Sequence, residues 1–144
     1  MRRIQFVGDH FAPGVDIEHG MVVLRVLLNA LFEIDCDQWQ RCPEYPGLFI
    51  SGVRYQREPK GVEEWQDVAE TLRRGHGDCE DLACMYASEL VVRHGIDARP
   101  DFTMREIRNP STGDLSKMFH IFVRLPGGER VDPSKILGMG RNDG

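Results

Sequence analysis

From Ile17 to Ile34 the apolar residues run almost all the way round a helix. Past Glu18 and His19, the exceptions are Arg25, Asn29 and Glu33, spaced by four, and they make one narrow polar stripe. A helix this apolar must be covered by its own domain or by a partner. Burial in the core is the first reading, and a contact in an oligomer or larger assembly the second. The longest apolar stretch, Met21 to Phe32, is too short to span a bilayer. The chain has 144 residues, 41% hydrophobic and 28% charged, which suits a single domain over 1–144 that buries its own core. Its net charge of −5 argues against a general nucleic-acid binder, which would carry a basic excess. Met1-Arg2-Arg3 does not open an export signal, so Cys36, Cys42, Cys79 and Cys84 read as reduced thiols.

The expected order is helices first, then an antiparallel sheet, an α+β arrangement. Residues 1–16 read as irregular, with Gly8, Pro13 and Gly14 as breakers. Leu48 to Tyr55 reads as a strand, and Val62 to Arg73 as a helix ended by Gly75. A tight loop, Gly75-His76-Gly77-Asp78, leads into a helix from Cys79 to His94 with Gly95 as its cap. Ala98 to Ile107 reads as a strand, and Phe119–Leu125 with Glu129–Asp132 as a hairpin around Pro126-Gly127-Gly128. The Gly-rich tail from 136 reads as irregular.

Cys79 lies at a helix start behind a glycine-rich loop, where free N–H groups and the helix dipole favour a thiolate. Gly77 would let a substrate backbone approach. Alternation puts His120, Phe122 and Arg124 on one face of the hairpin. A three-residue turn pairs Val123 with Val131, sets Arg124 against Arg130, and brings Asp132 diagonal to His120. Cys79, His120 and Asp132 then read as nucleophile, base and orienter of a thiol hydrolase. The first oxyanion donor would be the Cys79 backbone N–H, with Tyr55, Trp65 or Gln66 as the second. For Tyr55 and Trp65 the competing reading is core packing, and for Gln66 an exposed helix position.

Gly77-Asp78-Cys79-Glu80-Asp81-Leu82-Ala83, Gly95-Ile96-Asp97-Ala98-Arg99, His120-Ile121-Phe122-Val123 and Asp132-Pro133 together resemble the transglutaminase-like superfamily of papain-fold thiol enzymes. The resemblance covers about 53–134. It implies a papain-like core and cleavage or transfer of an amide, peptide or isopeptide bond through a thioester on Cys79. Gly52 to Pro59, with Glu64-Trp65 and the Gly-Asp-Cys-Glu-Asp block, is also similar to small transglutaminase-like proteins of tailed bacteriophages. That similarity implies the cytoplasm of an infected bacterial host or a virion. It also implies protein or peptide substrates, or phage structural proteins docked on helix 17–34. The chain departs from larger members in lacking a separate substrate domain.

No cofactor is required by this chemistry. Asp78, Glu80 and Asp81 do cluster hard oxygens of the kind calcium prefers, although acids also suit a helix N-terminus for ordinary reasons. The resemblance adds to the calcium reading, because bacterial transglutaminase-like proteinases with a similar Asp-Cys-Glu-Asp block bind calcium. His76 is a second candidate base. A rival reading from another class is a non-catalytic assembly protein of a phage particle that keeps the fold.

Overall fold

The computed structural model describes residues 3–5, 17–59 and 64–140. The expected start of the second helix at Val62 and the end of the tail at 141–144 lie outside the described residues, as do 6–16 of the lead-in. The elements are β1 (Arg3–Gln5), α1 (Ile17–Arg41), a 3₁₀ turn at Leu48–Ile50, β2 (Arg54–Tyr55), β3 (Glu64–Gln66), α2 (Val68–Arg74), β4 (His76–Gly77) and α3 (Cys79–His94). They are followed by β5 (Arg99–Arg108), β6 (Leu115–Arg124), β7 (Arg130–Val131) and α4 (Pro133–Ile136). The architecture is mixed α+β.

α1 keeps a buried stripe of Leu24, Leu28, Leu31, Phe32, Asp35 and Trp39, at the spacing one helical face demands. It continues to Arg41, beyond the expected end at Ile34, because a buried carboxyl occupies the stripe at Asp35. Asp35 Oδ1 accepts the Val68 N–H at 3.0 Å and so ties α1 to the first turn of α2. Met21, Val22 and Val26 at the other end of α1 are exposed, so among the described residues one face of the apolar segment is covered and not all of it.

β5, β6 and β7 form an antiparallel sheet in that order. Ile121, Val123, Phe102 and Ala98 pack with Leu28 and Phe32 of α1 and with Ala83 and Ala87 of α3. The two alanines let α3 lie close on the sheet. Each fully buried Leu or Phe in this layer contributes about 1.5–3 kcal/mol. The other side of α3 presents Leu82 and Met85 to Trp39, Leu48, Val53 and Val68, so one helix serves two core clusters.

α3 starts at Cys79 and ends in a left-handed Gly95, as its sequence predicts. The hairpin register is also as expected: Val123 opposes Val131 and Arg124 opposes Arg130, and the Leu125 N–H donates to the Glu129 carbonyl across the three-residue loop. Three expectations are corrected. Leu48–Tyr55 is a 3₁₀ turn and a two-residue strand, β2, which pairs in parallel with β4. The expected helix at 62–73 begins only at Val68, because Glu64–Gln66 pairs as a strand with Arg3–Gln5 and Asp67 caps the helix behind it. The lead-in, expected to be irregular, therefore contains the strand β1.

Candidate functional site

The N-terminus of α3 is closed by its own carboxylates. Asp78 is the N-cap, and with Asp81 it completes a capping box in which the Asp78 N–H donates to Asp81 Oδ2 at 3.0 Å. Asp78 Oδ1 accepts the Cys79 N–H at 2.7 Å, and Oδ2 accepts the Glu58 N–H at 3.2 Å. Asp81 Oδ1 accepts the Gln66 N–H at 2.7 Å, which fastens β3 to α3. The donor expected to serve an oxyanion, the Cys79 N–H, is thus already bonded.

Cys79 is half-buried and packs against the main core cluster, to which Trp65 and Ala83 belong. Its Sγ donates to Glu80 Oε2 at 3.4 Å. Burial pushes the thiol well above its usual range, and the carboxylates of Glu80 and Asp78 push the same way. This runs against the expectation of a thiolate favoured by the helix dipole: burial first, and the neighbouring acids after it, favour the thiol. Burial likewise raises the Glu80 and Asp81 carboxyls, and the neighbouring acids push the same way.

His120 and Asp132 are joined. His120 Nε2 bonds Asp132 Oδ2, and both side chains are partly exposed. Asp132 also caps α4 by accepting the Lys135 N–H at 3.2 Å, so its position is fixed by a helix start rather than by the strand ladder. Alternation along β6 sets His120 and Phe122 on the face opposite Ile121 and Val123, the pair that packs with α3. Among the described residues no hydrogen bond joins Cys79 to His120: the thiol bonds Glu80 and the imidazole bonds Asp132.

The remaining candidates are held in the scaffold. Trp65 is buried in the main core cluster on β3. Gln66 is buried as well, and was expected on an exposed helix; its Nε2 donates to the His76 carbonyl at 2.9 Å. Tyr55 packs against the second cluster and lies beside Gly77 in the β2–β4 pair. Gly77 is buried, and a Cβ there would stand 3.0 Å from Asp81 Cβ and 3.2 Å from Leu82 Cδ2, so its smallness serves packing with α3.

Two overlapping sets offer ligand atoms within 4.8 Å of one another: Asp78, Cys79 and Glu80, and Glu58, Glu80 and Asp81. Glu58 is a member that sequence reading missed, because nothing in a lone acid before Pro59 marks it as a neighbour of α3. Neither His76 nor Cys84 belongs to these sets; Cys84 is buried and donates to the Leu28 carbonyl at 3.6 Å. Among the described residues, no helix is long and apolar enough to cross a membrane. Comparison with family models, curated proteins and solved structures finds no match.

Proposed function

We propose that this chain is a cysteine-dependent amide or peptide-bond hydrolase, or acyl transferase, with a transglutaminase-like fold and a Cys79–His120–Asp132 triad. The observation that carries the reading is the His120–Asp132 pair, formed between a strand and a helix cap in a chain whose one cysteine at a helix start is Cys79. A carboxylate bonded to one imidazole nitrogen orients the ring and leaves the other nitrogen to take a proton. In the reaction, Cys79 Sγ bonds the carbonyl carbon and its proton passes to His120. The C–N bond then breaks and the amine leaves with that proton. Water, or a second amine in a transferase, resolves the thioester and restores the thiol. In the arrangement described the thiol bonds Glu80 and the imidazole bonds Asp132, so the reading requires a change that brings Cys79 and His120 together. The test is cleavage of a peptide library by the full chain: activity lost in both Cys79→Ala and His120→Ala supports the triad, and activity surviving Cys79→Ala removes it.

Calcium fits the donor set near the thiol. Glu58, Asp78, Glu80 and Asp81 are hard oxygen ligands, and no lysine or arginine is paired with Glu80 or Asp81 among the described residues. These four would hold the ion, and its charge would offset the acids that add to burial in favouring the thiol.

A second reading is a non-catalytic component of a bacteriophage virion, in the host cytoplasm before assembly. The protonated thiol, the engaged Cys79 N–H and the exposed Met21, Val22 and Val26 on α1 favour it. An inert thiol together with stable incorporation into particles would decide for this reading.

A further inference from the structure

The sheet face that carries His120 also carries two guanidiniums, those of Arg124 and Arg130, while that of Arg99 is turned from them over the Phe32 ring of α1 at 4.9 Å. Arg99, Arg124 and Arg130 stand on one rung across β5, β6 and β7, and cross-strand partners share a face. Like charges placed directly opposite destabilise a sheet, so this rung needs anions nearby. Asp101 supplies one, but it already serves Arg124 Nε at 2.7 Å and Arg25 Nη2 at 3.5 Å. Arg99 is paired with Asp97 at 3.2 Å. Arg130 is exposed and has no hydrogen-bond or ion-pair partner among the described residues.

Arg130 is nonetheless placed. Its guanidinium carbon lies 4.4 Å from the centroid of the Phe122 ring, and that of Arg124 lies 5.4 Å from it. Phe122 is only 2% exposed, so the platform beneath the cations is fixed. Stacking leaves the N–H donors of a guanidinium free in its plane, in the fork that fits a carboxylate. The His120 ring lies 6.5 Å from the same phenyl ring. The acid on this face, Asp132, is bonded to His120 and lies 3.9 Å from Lys135 Nζ, so it is not available to Arg130.

Resting on the hydrolase reading above, we infer that Arg130, stacked beside Arg124 on Phe122, is a specificity residue that binds an acidic side chain of a polypeptide substrate next to the bond presented to His120. The carboxylate would accept the free N–H donors of Arg130. Phe122 and Asp101 would hold the two guanidiniums apart.

Heteronuclear NMR of the arginine Nε–H groups tests this on the full chain. The probes are the blocked peptides Ac-Ala-Ala-Glu-Ala-Ala-NH₂ and Ac-Ala-Ala-Gln-Ala-Ala-NH₂, with inorganic phosphate alone as a third. The expected result is a saturable shift of the Arg130 Nε–H with the Glu peptide and binding about fivefold tighter than that of the Gln peptide, a preference abolished in Arg130→Gln. Equal binding of the two peptides, absence of binding, or a preference that survives Arg130→Gln overturns the inference. So does phosphate that binds as well as the Glu peptide, which marks a general anion patch. Binding is read without cleavage. A chain that prefers the Glu peptide but never forms a thioester contradicts the hydrolase reading alone, and a cleaving chain without that preference contradicts this inference alone.

Discussion

Cys79 Sγ donates to Glu80 Oε2, the side chain of the next residue, at 3.4 Å. A carboxylate in that position stabilises the thiol and opposes the thiolate. Removing it should therefore release the proton more readily. Glu80→Gln is expected to raise the alkylation rate of Cys79 by about threefold to tenfold at fixed pH, an effect of up to about one pKa unit. An unchanged rate would mean that burial alone holds the proton on sulfur.

The buried acids set the pH dependence of stability. Asp35, Glu80 and Asp81 have carboxyls raised well above the usual range, burial being the largest cause in each. In the unfolded chain they titrate near about 4. Above that pH the folded state holds protons that the unfolded state has lost, so their contribution is complete below about pH 4 and is lost as pH rises through the folded values. Glu70 works in the opposite sense. Its hydrogen bonds from Arg73 and Arg74 lower it to about 2 against the burial that raises it, so its contribution holds above the ordinary carboxylate range and is lost as pH falls toward about 2. Without added cation, the melting temperature should peak in mildly acidic solution and decline toward alkaline pH. Asp35→Asn keeps the acceptor for the Val68 N–H and removes the buried titration. It should flatten the decline, gaining about 1–3 kcal/mol at the alkaline end. A wild-type curve that rises steadily with pH would contradict this.

Gly77 lies where β4 passes α3. Gly77→Ala would place a methyl 3.0 Å from Asp81 Cβ and 3.2 Å from Leu82 Cδ2, neither of which is the free end of a long side chain. The expected cost is about 1–3 kcal/mol in urea unfolding, with thiol reactivity at saturating fold little changed. A stable Gly77→Ala chain that has lost only peptide binding would restore the role in substrate approach.

Calcium binding at Glu58, Asp78, Glu80 and Asp81 would appear as stabilisation. At a hundredfold excess over its Kd, a ligand specific for the folded state adds about 2.7 kcal/mol. Calcium should therefore raise the melting temperature of the wild type, and Glu80→Gln should lose most of that rise. An identical rise in both, or none in the wild type, removes the ion from this site.

The parts visible in the sequence were those with local causes. A cap residue, a helix period and a closing glycine place α3 at Cys79–His94, and alternation with a three-residue turn sets Val123 against Val131. The parts hidden were those whose cause lies far along the chain. Glu64–Gln66 is extended because Arg3–Gln5 pairs with it, and the helical period of Trp65, Val68 and Leu72 carries no sign of that partner. Asp35 looks like the end of an apolar helix, yet it is buried and accepts the Val68 N–H at the start of α2. At the site, Cys79, His120 and Asp132 were readable as residue types on a helix start, a strand and a turn. The cluster of Asp78, Glu80 and Asp81 was readable too, but not its opposition to the thiolate, nor its further member Glu58, which joins it only through folding.

The most direct test of the central claim is the iodoacetamide alkylation rate of Cys79 against pH, in the wild type and in His120→Ala. A working pair gives a limb of alkylation near about pH 7, below the ordinary thiol range of about 8.5, that disappears in His120→Ala. Superimposable profiles, both rising only at alkaline pH, would contradict the triad and leave the protonated thiol beside Glu80 as the whole of its chemistry.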